Sequence, residues 1–139
     1  MKSLLKVSPA SKNIDIALLV SRIGISLMMF THGIPKIGRL SQDPVQFLDF
    51  MGLGPQFSLI LAILAEVGCS VLIIIGLGTR FAVIPLIITM MIAVIVAHGS
   101  DPFATQEKAF QYILMYVLLL ITGSGRFSLD QVFFSRKTI

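Results

Sequence analysis

Tryptophan is absent from this chain, cysteine occurs once, and charge is scarce at 13% Asp, Glu, Lys and Arg. Each shortage removes a class of protein. A soluble domain carries about 25% charged residues. With 55% hydrophobic residues and a mean hydropathy of +0.92, this chain reads as an integral membrane protein. A single cysteine, Cys69, cannot close an internal disulfide, which excludes the paired-cysteine chemistry of membrane thiol oxidases within one chain. Without tryptophan, any aromatic belt falls to Tyr and Phe. No metal-ligand spacing, glycine-rich phosphate loop or nucleophile motif is present. The net charge of +4 does not point to nucleic acid, because the basic residues gather near the chain ends, as membrane topology requires.

What is present is a series of apolar runs. Four of them, over about 14–38, 55–77, 79–97 and 105–122, approach the ~20 residues that span a bilayer as helix. The expected fold is all-α: an integral membrane four-helix bundle, one domain over 1–139 with a tail from 124. Pro55 suits a helix start, and Pro85 falls near the start of the third run, where a kink is cheap. Residues 1–13, with Lys2, Lys6 and Lys12, resemble the basic region of a signal peptide. The run behind them is too long, contains Arg22 and lacks a small-residue cleavage site, so an uncleaved tail is expected. In the loop 39–54, Val45, Phe47, Leu48, Phe50 and Met51 alternate with Asp43, Gln46 and Asp49. That pattern fits a segment in the membrane interface or a loop packed on the bundle. After Gly125, Ser128 can cap a helix with an apolar face of Leu129, Val132 and Phe133, expected on the cytoplasmic membrane surface.

Lys2, Lys6, Lys12, Arg80, Arg126, Arg136 and Lys137 then place both termini in the cytoplasm by the positive-inside rule. His32, Lys36, His98 and Glu107 fall at the outer face. A faint repeat, His32-Gly33 with His98-Gly99 and Gly-x-Gly after the second and fourth runs, fits a duplicated hairpin or helix-ending glycines alone.

Polar residues inside the runs are the candidates for function. A bilayer charges about 2.5–3.5 kcal/mol for each ionisable group on insertion scales, yet the first run carries Arg22, His32 and Lys36. Arg22, Ser26, Met29, Gly33 and Lys36 lie within about 40° of one line on a helix. That stripe must face protein or a wet cavity. Glu66 sits in the middle of the second run with Ser70 one turn on; it is paired, protonated or lining a polar cavity. Its depth lies within a few Å of Arg22's, so a buried Arg22–Glu66 pair joining helices 1 and 2 is expected. His32, Lys36 and Glu107 share an outer depth and should border one polar pocket, with helices 1 and 4 adjacent. Against this, Lys36 can snorkel to the headgroups, and the helix dipole alone favours Glu107. His98 flanks the outer loop; Tyr112 and Tyr116, one turn apart, are read as lining the bundle. Haem between His32 and His98 is disfavoured by a depth mismatch of about 6 Å.

Arg22, the stretch HGIPK (32–36), AEVGCSVLIIIGLGTR (65–80), Glu107 and GSGRFSLD (123–130) resemble, in order and over nearly the whole chain, the DoxX family of small four-helix bacterial membrane proteins. The resemblance implies a bacterial plasma-membrane protein and a subunit of a membrane-associated, quinone-linked oxidoreductase complex. It implies a quinone and an attached redox partner protein, and leaves open whether the chain is catalytic itself. Another class stays open: a small-molecule binding or transport protein whose Arg22–Glu66 and His32–Lys36 groups hold a polar solute. A structural assembly subunit is a third reading. The small interior of four short helices is compatible with a homo-oligomer.

Overall fold

A computed structural model describes residues 11–134. Lys2, Lys6, Arg136 and Lys137, used above for orientation, lie outside the described residues. The described chain is helical and contains no strand: α1 is Lys12–Arg39, α2 Pro55–Ile75, α3 Thr79–Ala97, α4 Phe103–Thr122 and α5 the short Leu129–Phe134. The Ser11 hydroxyl accepts from Ile14 N at 3.4 Å to start α1, which continues through Pro35. Helix α2 starts on Pro55 and ends at Gly76, with φ 70°. There Leu77 N donates to Leu72 O at 2.9 Å and Gly76 N to Ile73 O at 3.1 Å, the paired bonds of a Schellman ending. Only Gly76, Leu77 and Gly78 separate α2 from α3, so the two run antiparallel.

Helices α1, α2 and α3 are long and apolar enough to cross a membrane. Helix α4 has 20 residues, but Gln106, Glu107, Lys108 and Gln111 make its first half polar. Contacts join α1 to α2, α2 to α3, α3 to α4 and α4 back to α1, a closed ring. Ile25, Met29, Ile73, Val83, Leu86 and Leu119 fill its middle. Leu27, Leu61, Ile88, Ile95, Leu114 and Ile121 are exposed around the outside. Arg22, Ser26, Glu66, Ser70 and Tyr116 are buried. A molecule with an aliphatic exterior and a polar interior stripe is built for lipid rather than water.

Two helices widen locally into π turns, Leu64–Cys69 in α2 and Ala93–Ala97 in α3. Such turns are rare and recur at functional sites; the first carries Glu66. Opposite it, Gly33 brings α1 against α2. A Cβ on Gly33 would stand 2.7 Å from Val67 Cγ2 and 3.0 Å from Glu66 Cβ. Gly33→Ala should therefore push the helices apart, at a cost of about 1–3 kcal/mol. Gly38→Ala, where nothing lies within 4 Å, is the control. Equal melting of the two variants in detergent would refute the close approach.

The loop 40–54 contains no helix. It packs on the bundle: Phe50 N donates to Ser58 Oγ at 3.0 Å, and Gly54 N to Asp49 Oδ1 at 2.8 Å. The chain after α4 makes contacts that its own pattern does not reveal. Ser128 does cap α5, its hydroxyl accepting from Gln131 N at 3.3 Å. The segment keeps its apolar face exposed at Val132 and Phe133, while its backbone is held against the bundle. It folds across one end of the bundle, burying Ser124, Gly125, Ser128 and Asp130, because buried polar groups on the helices bind it.

Candidate functional site

The two charged groups of the α1 stripe go to opposite ends of the bundle. At the Lys36 end, Lys36 Nζ donates to both oxygens of Glu66, to Oε2 at 2.6 Å. Glu66 is 1% exposed and Lys36 21%, so the carboxylate is sealed while the ammonium reaches outward. Helix α1 supplies Lys36 from the turn beyond Gly33, and the π turn of α2 presents Glu66 to it. Aromatic rings share this end of the bundle with the pair, and the His32 side chain is exposed. The His32 ring meets Tyr112 edge-on, centroids 5.6 Å apart. Tyr112 stacks on Tyr116 at 6.1 Å. Phe47, from the loop, has its ring centroid 5.9 Å from Lys36 Nζ. Both tyrosines feel the Glu66 charge, and Ser70, one turn from Glu66, is fully buried.

At the other end, Arg22 is 1% exposed. Its Nη1 donates to Ser124 O at 2.5 Å and its Nη2 to Phe127 O at 2.6 Å, and the Asp130 carboxylate acts on it electrostatically. Asp130 also accepts from Gly78 N at 2.7 Å and Thr79 N at 3.3 Å. Asp15, 1% exposed, accepts from Arg126 N at 3.0 Å. Four elements are thereby tied together: the start of α1, the α2–α3 turn, the end of α4 and α5.

The expected Arg22–Glu66 pair is not formed. Gly33 is the α1 residue level with Glu66, whereas Arg22 meets Gly76. Those α1 positions are separated by roughly 16 Å at 1.5 Å per residue, beyond a guanidinium's reach. Counting depth from helix ends misjudged the register, and Lys36 takes the carboxylate instead. The pocket expected from His32, Lys36 and Glu107 is also revised. Helices α1 and α4 are adjacent, but Glu107 is exposed and accepts only from Gln111 Nε2, at 3.2 Å, among the described residues. His98 pairs with Asp101 at 2.7 Å in the loop before α4, where Gln106 Nε2 holds its carbonyl at 2.7 Å. The structure brings Lys36, Glu66, Tyr112, Tyr116 and Phe47 to one end of the bundle, with the exposed His32 ring against Tyr112, as the candidate site.

Sequence reasoning missed Asp15 and Asp130. A signal existed for both: each is an acidic residue in a helix's first turn, close in sequence to the basic or glycine-rich ends. Among the described residues, no three His, Cys, Asp or Glu side chains gather as metal ligands would. The arrangement offers a cationic donor, an anionic acceptor and flat aromatic faces in one low-dielectric place. It can orient a flat molecule bearing carbonyl or hydroxyl groups and exchange protons with it.

The DoxX family model matches residues 17–99. The chain is 31% identical over 126 residues to the inner membrane protein YphA of Escherichia coli, covering 84% of this chain and 89% of that protein. To the inner membrane protein YqjF of the same organism it is 29% identical over 122 residues, covering 85% and 92%. An uncharacterized protein of Haemophilus influenzae is 29% identical over 122 residues, covering 83% and 89%. No solved structure matches.

Proposed function

Because the chain belongs to the DoxX family, we propose that it is a multi-pass subunit of a quinone-linked oxidoreductase complex in the bacterial plasma membrane, holding a quinone headgroup at Lys36 and Glu66. The observation that carries this reading is a sealed Glu66 carboxylate paired with Lys36, with Phe47 beside the ammonium and the Tyr112–Tyr116 stack at the same end of the bundle. A quinone supplies reversible two-electron, two-proton chemistry at a flat ring with two oxygens. The residues suit that group. Lys36 can donate to a carbonyl oxygen, Glu66 can accept from a hydroxyl, and Tyr112 offers a face for stacking. The aliphatic exterior gives an isoprenoid tail its solvent. Electrons are exchanged with an attached redox partner protein.

Orientation follows from charge. Lys12, Arg80 and Arg126 lie at the Arg22 end, where α1 starts and α2 turns into α3. The positive-inside rule makes that end cytoplasmic, with α4 as the fourth span and the Lys36 end facing outward. The relatives' names as inner membrane proteins support the location.

The test is extraction of the protein from its native membrane into nanodiscs, followed by mass spectrometry of the bound lipids. Wild type should retain quinone near one per chain. Lys36→Leu/Glu66→Leu, which removes the pair without stranding a charge, should lose about tenfold or more, the equivalent of one charge-assisted contact. Wild type without quinone, or equal retention by the double variant, overturns the reading.

A further inference from the structure

The middle of the bundle, between the two ends, holds a set of polar atoms that the proposed headgroup site does not use. Ser26 Oγ, Ser70 Oγ, Tyr116 Oη and Arg22 Nε have no hydrogen-bond partner among the described residues, and each parent residue is 1% exposed or less. The antiparallel register puts them in sequence. Arg22 is level with Gly76 and Gly33 with Glu66; Ser26 on α1 and Ser70 on α2 fall between these levels. Tyr116 on α4 lies close enough to Ser70 to interact. From α3 the buried positions are Thr79, at the Arg22 end beside Asp130, and the apolar Ala82, Val83, Leu86 and Met90.

Three threonine hydroxyls elsewhere in the same helices satisfy themselves, though Thr79 Oγ1 at the start of α3 does not. Thr31 donates to Met28 O at 2.7 Å, Thr89 to Pro85 O at 2.8 Å and Thr122 to Leu118 O at 2.7 Å. Those on the interior line do not, although back-bonding was open to the two serines as well. A buried group left unsatisfied costs about 1–3 kcal/mol, so four of them along one line are groups aimed at a ligand. Small polar clusters of this kind hold ordered water, which needs two to four polar partners.

We propose that Ser26, Ser70 and Tyr116 bind a file of water running from the Glu66 level toward Arg22, and that the Arg22 cation closes this file to protons. Water hydrogen-bonded through these three hydroxyls would carry protons along an otherwise apolar interior. A guanidinium fixed at its end opposes any cation that approaches, and Arg22 is fixed by two carbonyls. The charged and titratable groups along the path are Lys36, Glu66, Cys69, Tyr112, Tyr116 and Arg22. The proposed file meets outside water only past the partly exposed Lys36 ammonium, and is shut at the end capped by residues 123–130. This inference does not rest on quinone binding.

A proton-leak assay tests it. Full-length protein is placed in phosphatidylethanolamine–phosphatidylglycerol vesicles loaded with a pH-sensitive dye, and a potassium gradient with valinomycin drives protons. Wild type should leak no faster than empty vesicles. Arg22→Ala should leak about tenfold faster or more, because the barrier charge is gone. Adding Ser26→Ala, Ser70→Ala and Tyr116→Phe to Arg22→Ala should return the leak to the wild-type level. A leaky wild type, a tight Arg22→Ala, or a leak that survives removal of the three hydroxyls overturns the proposal. Should Arg22→Ala not fold, wild type decides by radiolytic footprinting, in which bound water generates the oxidant beside it. Tyr116 should be labelled, and labelling should fall severalfold in Ser26→Ala/Ser70→Ala. An unlabelled Tyr116, or labelling indifferent to the serines, refutes the file.

Discussion

Lys36→Leu is expected to destabilise the protein by about 3–5 kcal/mol, the cost of stranding a buried charge, and by more than Glu66→Gln. The asymmetry comes from burial. Lys36 is 21% exposed and Glu66 1%. If Glu66 is neutralised, the lysine can swing its ammonium toward headgroups and water. If Lys36 is removed, the carboxylate has nowhere to go, and the neighbouring tyrosines supply only neutral donors. Unfolding in mixed detergent–dodecyl sulfate micelles, followed by circular dichroism, ranks the two variants. Lys36→Leu being as stable as wild type, or more stable than Glu66→Gln, would show that the pair is not sealed as described.

Arg22→Leu should produce a loss of similar size at the other end, about 2–5 kcal/mol from two orphaned carbonyls and an uncompensated Asp130. Its signature is local. Without Arg22, the Ser124 and Phe127 carbonyls lose their donors, and the segment 123–130 should become accessible to protease while α1–α4 remain helical. Arg22→Lys should recover part of the protection, since one ammonium cannot fork to both carbonyls as a planar guanidinium does. Protection of the segment unchanged in Arg22→Leu would mean that Asp130 holds it alone, through Gly78 N, Thr79 N and its own N–H to Gly76 O at 2.9 Å.

The polar stripe Arg22, Ser26, Met29, Gly33, Lys36 was legible because helical period is a local property, and a bilayer forces such a stripe inward. Helix boundaries were legible for the same reason, with Pro55 and Gly76 marking α2. Pairing was not. Which residue of α2 stands opposite Arg22 depends on where α1 and α2 are pinned, and the pin is the Gly33 contact with Glu66 and Val67. A period cannot reveal that. The docking of the segment after α4 was not legible, because its own pattern, Leu129, Val132 and Phe133, shows only an amphipathic helix. The decisive partners Asp15, Arg22 and Gly78 lie up to a hundred or so positions away. Glu107 and His98 matched in depth but not in direction: both face outward, and equal depth says nothing about azimuth.

The central claim is that the charged interior is divided, with Glu66 belonging to Lys36 and Arg22 belonging to the chain's last segment. Coupling free energies from two double-mutant cycles measure this directly. The cycle between Lys36→Leu and Glu66→Leu should give a favourable coupling of about 1.5 kcal/mol or more, as for close hydrogen-bonded charges. The cycle between Arg22→Leu and Glu66→Leu should give a value within about 0.5 kcal/mol of zero, as for sites without shared partners. A large Arg22–Glu66 coupling with none between Lys36 and Glu66 would contradict the account.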